Sequence, residues 1–90
     1  MKAFRKRPGE GWELIEVENT LEALQKQVGG YIETVSFTKD TCIICNEEGL
    51  LIGLPINMFL DYPFRGTLLI VGVDGEEFCD IKKEELEDML

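Results

Sequence analysis

The sequence predicts an α+β fold: a mostly antiparallel sheet of five to six strands with two helices, in the order ββαβββ(α)ββα. Three observations predict it. Runs rich in β-branched and aromatic residues are joined by short segments containing Gly, Pro, Asn and Asp. Only two segments, 19–28 and 81–90, carry clear helix signals. One run, TLLIVGV (67–73), is apolar without interruption, as a central strand covered on both faces requires.

KAFRK (2–6) reads as the first strand, closed by a turn at Pro8-Gly9-Glu10-Gly11. WELIEVE (12–18) follows as its hairpin partner, with Ile15 and Val17 on one face. Asn19 is placed to cap a helix, with Glu22 three residues on as its capping-box partner. Leu21, Leu24 and Val28 give that helix an apolar stripe, and Gly29-Gly30 ends it. YIETVSF (31–37) and TCIICN (41–46) form a hairpin about Thr38-Lys39-Asp40. NEEG turns the chain into LLIGL (50–54), read as a core strand in which Gly53 permits a bulge. Pro55 ends it, and an irregular or briefly helical segment runs through Tyr62 to Pro63. After the central strand, Asp74-Gly75 turns the chain into a short strand around Phe78. Asp80 is placed to cap a last helix over 81–90, with Leu86, Met89 and Leu90 facing inward.

Ninety residues make a single domain, 1–90. No stretch is apolar for the roughly 20 residues of a membrane span, and the basic start lacks the apolar core of a secretory signal. Three cysteines, an odd number, fit a reducing cytosol. The expected location is therefore cytoplasmic.

Charge is the outlier. The chain carries −9 and has no histidine. Lys2, Arg5, Lys6 and Arg7 concentrate four of the nine cations at the start, so residues 8–90 set eighteen carboxylates against five cations. Such a field repels nucleic acid and acidic membranes and draws basic partners, although acidity also simply keeps a small protein soluble. The basic start is expected to pair with acids of the neighbouring strand, such as Glu13 or Glu16.

Chemistry-bearing motifs are few. Cys42 and Cys45 form a CxxC, but residues three apart on a strand point to opposite faces, so no metal site and no cofactor are expected. The lack of histidine removes the usual general base, and Ser36, the sole serine, sits mid-strand. No phosphate-binding glycine motif has the required spacing. The chain is therefore expected not to be an enzyme.

TLEALQKQVGGYIETV, NEEGLLIGLPINMF and LLIVGVDGEEF together resemble the small family called domain of unknown function 3846. The resemblance runs from about Thr20 to Leu86 and rests on three ordered motifs. It implies a setting: proteins carried by phages, plasmids and conjugative elements of Gram-positive and gut bacteria, some near or fused to antirestriction-type proteins. It implies no catalytic residue. This chain departs from the family pattern after Pro55, where Ile56 and the apolar MFLDYPF stand in place of more polar residues.

Three functions follow as expectations. The first is a non-catalytic inhibitor of a host defence nuclease, of the anti-CRISPR or antirestriction type. It would present carboxylates in place of nucleic-acid phosphates, on an acidic face of Glu13, Glu16, Glu18, Glu22, Glu76, Glu77, Asp80, Glu84, Glu85, Glu87 and Asp88. Its partner would be a basic nucleic-acid-handling enzyme, with no direct nucleic-acid contact. The second is a small-ligand or nucleotide-binding module with Tyr31, Gly53 and Asn57 near a pocket. The third is a structural or assembly protein acting through an apolar 56–64 patch that includes Met58, Phe59, Tyr62 and Phe64, a patch a homodimer would also use. Gly53, Pro55 and Asn57 are read first as architectural, and Trp12 and Tyr31 as core.

Overall fold

The structure, a computed structural model, describes residues 1–82 together with 84 and 85. It is an α+β fold in which every strand pair is antiparallel. The elements are β1 (Lys2–Lys6), β2 (Trp12–Glu16), α1 (Leu21–Val28), β3 (Ile32–Thr38), β4 (Thr41–Asn46), β5 (Ile56–Phe59), β6 (Tyr62–Arg65), β7 (Leu68–Asp74) and β8 (Glu77–Cys79). The main sheet runs β2-β1-β7-β4-β3, and β5-β6 form a separate two-stranded sheet. β4 occupies one side of β7, so β1 and β8 share the other, β1 at Leu68–Ile70 and β8 at Gly72–Asp74. Two bonds join their ends: Ile81 N–H donates to the Lys2 carbonyl (2.9 Å), and Lys2 N–H to Asp80 Oδ1 (2.8 Å). Gly72 permits this approach, because a Cβ there would stand 2.6 Å from the Asp80 carbonyl oxygen.

Two apolar layers hold the sheet. Ala3, Cys42, Ile44, Leu69 and Val71 face α1, which contributes Leu24 and Val28. Phe4, Ile43, Cys45, Leu68 and Ile70 face the other way and are covered by Phe59 of β5, with Trp12, Phe37 and Phe64 at the margin. The uninterrupted apolar run of β7 thus serves both layers by simple alternation.

α1 starts at Thr20, whose Oγ1 accepts from Ala23 N–H at 3.2 Å, rather than at Asn19. Asn19 is engaged elsewhere: its Nδ2 donates to the Phe78 carbonyl at 2.9 Å, tying the helix entry to β8. Gly29 ends the helix at φ 81°, as the glycine pair predicts. Leu21, expected on the buried stripe, is exposed, and only Leu24 and Val28 are buried. Thr20→Ala is expected to cost about 1 kcal/mol in urea unfolding, whereas Thr20→Ser keeps the cap and stays within a few tenths.

Several expectations need correction. LLIGL is not a strand. Both edges of β4 are occupied, by β3 and β7, so the chain leaving Asn46 has no place to pair in the middle of the sheet. It makes successive turns instead, with Gly49 N–H to Asn46 O (3.3 Å), Ile52 N–H to Glu48 O (3.0 Å) and Leu54 N–H to Gly49 O (2.9 Å). Leu50, Leu51 and Ile52 are consequently exposed, Leu51 at 84%. Gly53 sits at φ 71° within these turns, not at a strand bulge. The irregular or helical segment expected after Pro55 is the β5–β6 hairpin. Tyr31 is 64% exposed rather than core. One helix stands among the described residues, so the two-helix count is not met. The second helix, with Leu86, Met89 and Leu90, falls largely outside the described residues.

Candidate functional site

The site is built on the β5–β6 hairpin, whose position depends on one side chain. Asn57 is fully buried; its Nδ2 donates to the Lys6 carbonyl (2.8 Å) and the Gly66 carbonyl (2.9 Å), and its Oδ1 accepts from Lys6 Nζ. Phe59 packs beside it, edge-on to Trp12 at 5.0 Å and tilted on Phe37 at 5.7 Å. With Asn57 and Phe59 turned inward, period-two alternation turns Ile56 and Met58 outward, and both are about half exposed. Tyr62 and Phe64 pack at a tilt on the flank, their ring centroids 4.7 Å apart.

The hairpin tip is unusual. Leu60 (φ 53°) and Asp61 (φ 59°) are both left-handed, the geometry of a two-residue turn that favours Asn-Gly. Leu60 adopts it while 62% exposed. Of the expected apolar patch, Met58 and Tyr62 are on the surface, Phe59 is core, and Phe64 is half-buried. Within 56–64 the structure also exposes Ile56 and Leu60, and in the preceding turns it exposes Leu50, Leu51 and Ile52. Sequence reasoning missed the last three because a strand assignment at 50–54 buries them. The available signal was INMF and YPFR flanking a two-residue link, without the usual Asn-Gly.

Between this hairpin and the outer strand β3 lies a groove of about 460 Å³, with Glu33 and Val35 of β3, Glu47, Leu50, Tyr62 and Phe64 among its walls. Arg65 also lines it, its Nη1 donating to the Leu54 carbonyl at 3.4 Å. A smaller hollow of about 240 Å³ lies by Gly29, Gly30, Tyr31 and Ile52. Tyr31 therefore borders a concavity, but Gly53 and Asn57 do not line it, and Asn57 has both of its polar ends satisfied internally.

The acidic residues divide into two groups. Glu13 is committed to the fold: it stands opposite Arg5 in register, 2.7 Å from its Nη2 and 3.1 Å from Arg7 Nη2. Its hydrogen bond from Arg5 holds the carboxyl below its ordinary pKa. The contribution of this pair is present above the ordinary carboxylate range and is lost as pH falls through the lowered value. Glu16 lies 3.5 Å from the N-terminal ammonium. Glu18, Glu22, Glu76, Glu77, Asp80 and Glu84 are exposed, and the Asn19–Phe78 bond brings the 18–22 segment beside β8. Glu85 is half-buried, and Glu87 and Asp88 lie outside the described residues. The exposed carboxylates of the expected acidic face thus gather toward the β2/β8 side, while Glu33 and Glu47 line the hairpin groove and Asp61 sits at the hairpin tip.

The CxxC pair is divided as strand geometry requires: Cys42 lies in the helix-side layer and Cys45 in the hairpin-side layer. Burial raises both thiols, and with Glu33 nearby it pushes Cys45 up to about 11. Cys79 is also raised, by desolvation first and then by Asp74 and Asp80, but it is only half-buried. In native protein at pH 8, a disulfide reagent is expected to modify Cys79 first, with Cys42 and Cys45 reacting only on unfolding. Among the described residues no cluster of three metal-ligating side chains occurs, and no helix is long and apolar enough to cross a membrane.

The whole chain, residues 1–90, matches the family described as Domain of unknown function (DUF3846). The chain belongs to this family. Neither the curated proteins nor the solved structures yield a match. The exposed apolar residues of the hairpin, Ile56, Met58, Leu60 and Tyr62, all fall within INMFLDYPF (56–64).

Proposed function

We propose that this DUF3846 protein is a non-catalytic inhibitor, carried by a phage or other mobile element, that binds a basic nucleic-acid-handling defence enzyme in the host cytosol. The negative field steers the approach. The β5–β6 hairpin and its flanking turns form the short-range contact.

Leu60 carries this reading. A left-handed leucine costs about 1 kcal/mol or more relative to the residues that suit the position. An apolar side chain kept there, in water, at a strained tip, gives the free protein no stability in return. It does fit an interface, where a hairpin presents apolar side chains with Asp61 exposed at its tip and Glu47 and Glu48 exposed in the preceding turn. The charge separation also assigns kinetic roles. Neutralising Glu18, Glu22, Glu76 and Glu77 slows association and flattens its salt dependence, whereas Met58→Asp accelerates dissociation. Mimicry of a phosphate row draws on the exposed acids of the β2/β8 side, since Glu13 is neutralised within the fold.

The test is co-expression of the chain with a panel of bacterial defence systems while phage plating is scored. Wild type restores plaques against at least one system, and Met58→Asp, folded by circular dichroism, does not. Equal restoration by both removes the hairpin from the function. Loss of activity with a change in oligomeric state instead favours assembly through the same patch.

A further inference from the structure

We infer that β3 and the groove beside it receive an extended segment of a partner protein as an added antiparallel strand, with a basic side chain of that segment lying in the groove. This names the contact made under the proposed function and rests on that reading.

β3 is the outermost strand on its side of the sheet among the described residues, and its middle, Glu33–Ser36, is exposed. The alternation of its hydrogen bonds is fixed by Glu47 N–H donating to the Tyr31 carbonyl at 2.8 Å. Tyr31 and Glu47 are thus a hydrogen-bonded pair, and so, two residues on, are Glu33 with Cys45 and Val35 with Ile43. The intervening Ile32, Thr34 and Ser36 point their N–H and C=O groups away from β4, toward the open edge. These are the groups that an added strand pairs with.

Natural edges are commonly blocked by lysine, proline, bulges or inward-pointing charges, and the one charge on this open stretch, Glu33, excludes acidic strands rather than basic ones. This edge has neither lysine nor proline, and its register irregularity lies beyond the open stretch, between Ser36 and Thr38. Beside the edge, the groove offers Val35, Tyr62 and Phe64 for an aliphatic stem and the carboxylates of Glu33 and Glu47 for a cationic head. Among the described residues Arg65 is the one cation in its wall, and its guanidinium is turned to the Leu54 carbonyl. A long basic side chain fits this combination of apolar walls and acidic lining. A second copy of this chain is disfavoured as the occupant, because pairing two chains of −9 sets like fields against one another.

The test is a titration of full-length ¹⁵N-labelled protein with an octapeptide that alternates Lys or Arg with Val or Thr. The peptide is expected to shift and protect the Thr34 and Ser36 amides. Thr34→Pro removes one outward donor without touching a ladder bond and weakens the peptide about tenfold, whereas Thr34→Ala does not. Glu33→Gln, which leaves the edge intact, also weakens binding, and weakens it less at high salt. The inference is overturned by equal binding to Thr34→Pro, by equal binding of the same peptide with Glu in place of Lys and Arg, or by concentration-dependent self-association shifting these amides without peptide. If the peptide fails while Met58→Asp still abolishes plaque restoration, the strand inference falls alone. If the peptide binds but no defence system is relieved, the inhibitor reading falls and the edge stands as a binding site.

Discussion

Replacing Asn57 with Ala is expected to destabilise the protein by about 2–4 kcal/mol, because the substitution strands buried acceptors rather than merely removing contacts. Asn57 satisfies the carbonyls of Lys6 and Gly66 and receives the Lys6 ammonium, so one side chain ties β1, β5 and the link after β6 together. Asn57→Asp separates the two roles. It keeps an acceptor for Lys6 but loses both donors and sets a carboxylate against two carbonyls, so it is expected to be at least as harmful. Urea unfolding measures the loss. Trp12, edge-on to Phe59, reports the cause, and its native emission should shift to the red as the hairpin lifts from the sheet. A loss below about 1 kcal/mol with unchanged emission means that Phe59, not Asn57, holds the hairpin.

The second large effect lies in β7. Leu69 faces α1 and Ile70 faces the hairpin; both are fully buried, and they are adjacent in sequence. Leu69→Ala and Ile70→Ala are each expected to cost about 2–5 kcal/mol, through lost transfer energy and an incompletely collapsed cavity. A domain this small has roughly 5–13 kcal/mol in total, so the double variant is expected to be unfolded at 25 °C. Near-equal single losses are the signature of a sheet covered on both faces. A sheet with one open face would lose stability at only one of the two positions.

The outcome shows which features the sequence exposes. Alternation placed Cys42 and Cys45 on opposite faces, and the apolar continuity of 67–73 marked the central strand, because both follow from local strand geometry. Gly29 at the helix end was legible for the same reason. In the segment 47–65 only the NEEG turn and the architectural role of Asn57 were legible. Whether LLIGL forms a strand depends on whether β4 has a free edge, and β7, more than twenty residues downstream, takes that edge. Thr20 displaced Asn19 as the cap because Asn19 bonds Phe78, again a distant partner. Tyr31 and Leu21 have ordinary core chemistry, and only the packing leaves them outside. For the candidate site, Met58 and Tyr62 were identifiable from composition. Leu60 was not, because its significance lies in a backbone angle.

The most direct test uses Leu60→Asn, assayed for stability and for inhibition of the defence enzyme found in the plating panel. Asparagine suits the left-handed turn, so the variant should be more stable than wild type by about 0.5–1 kcal/mol in urea unfolding. It should also lose most of its inhibition through faster dissociation. More stability with less activity is the result predicted for a strained apolar residue kept for binding. A variant that is stabilised and inhibits as well as wild type would show that the hairpin tip takes no part in partner recognition.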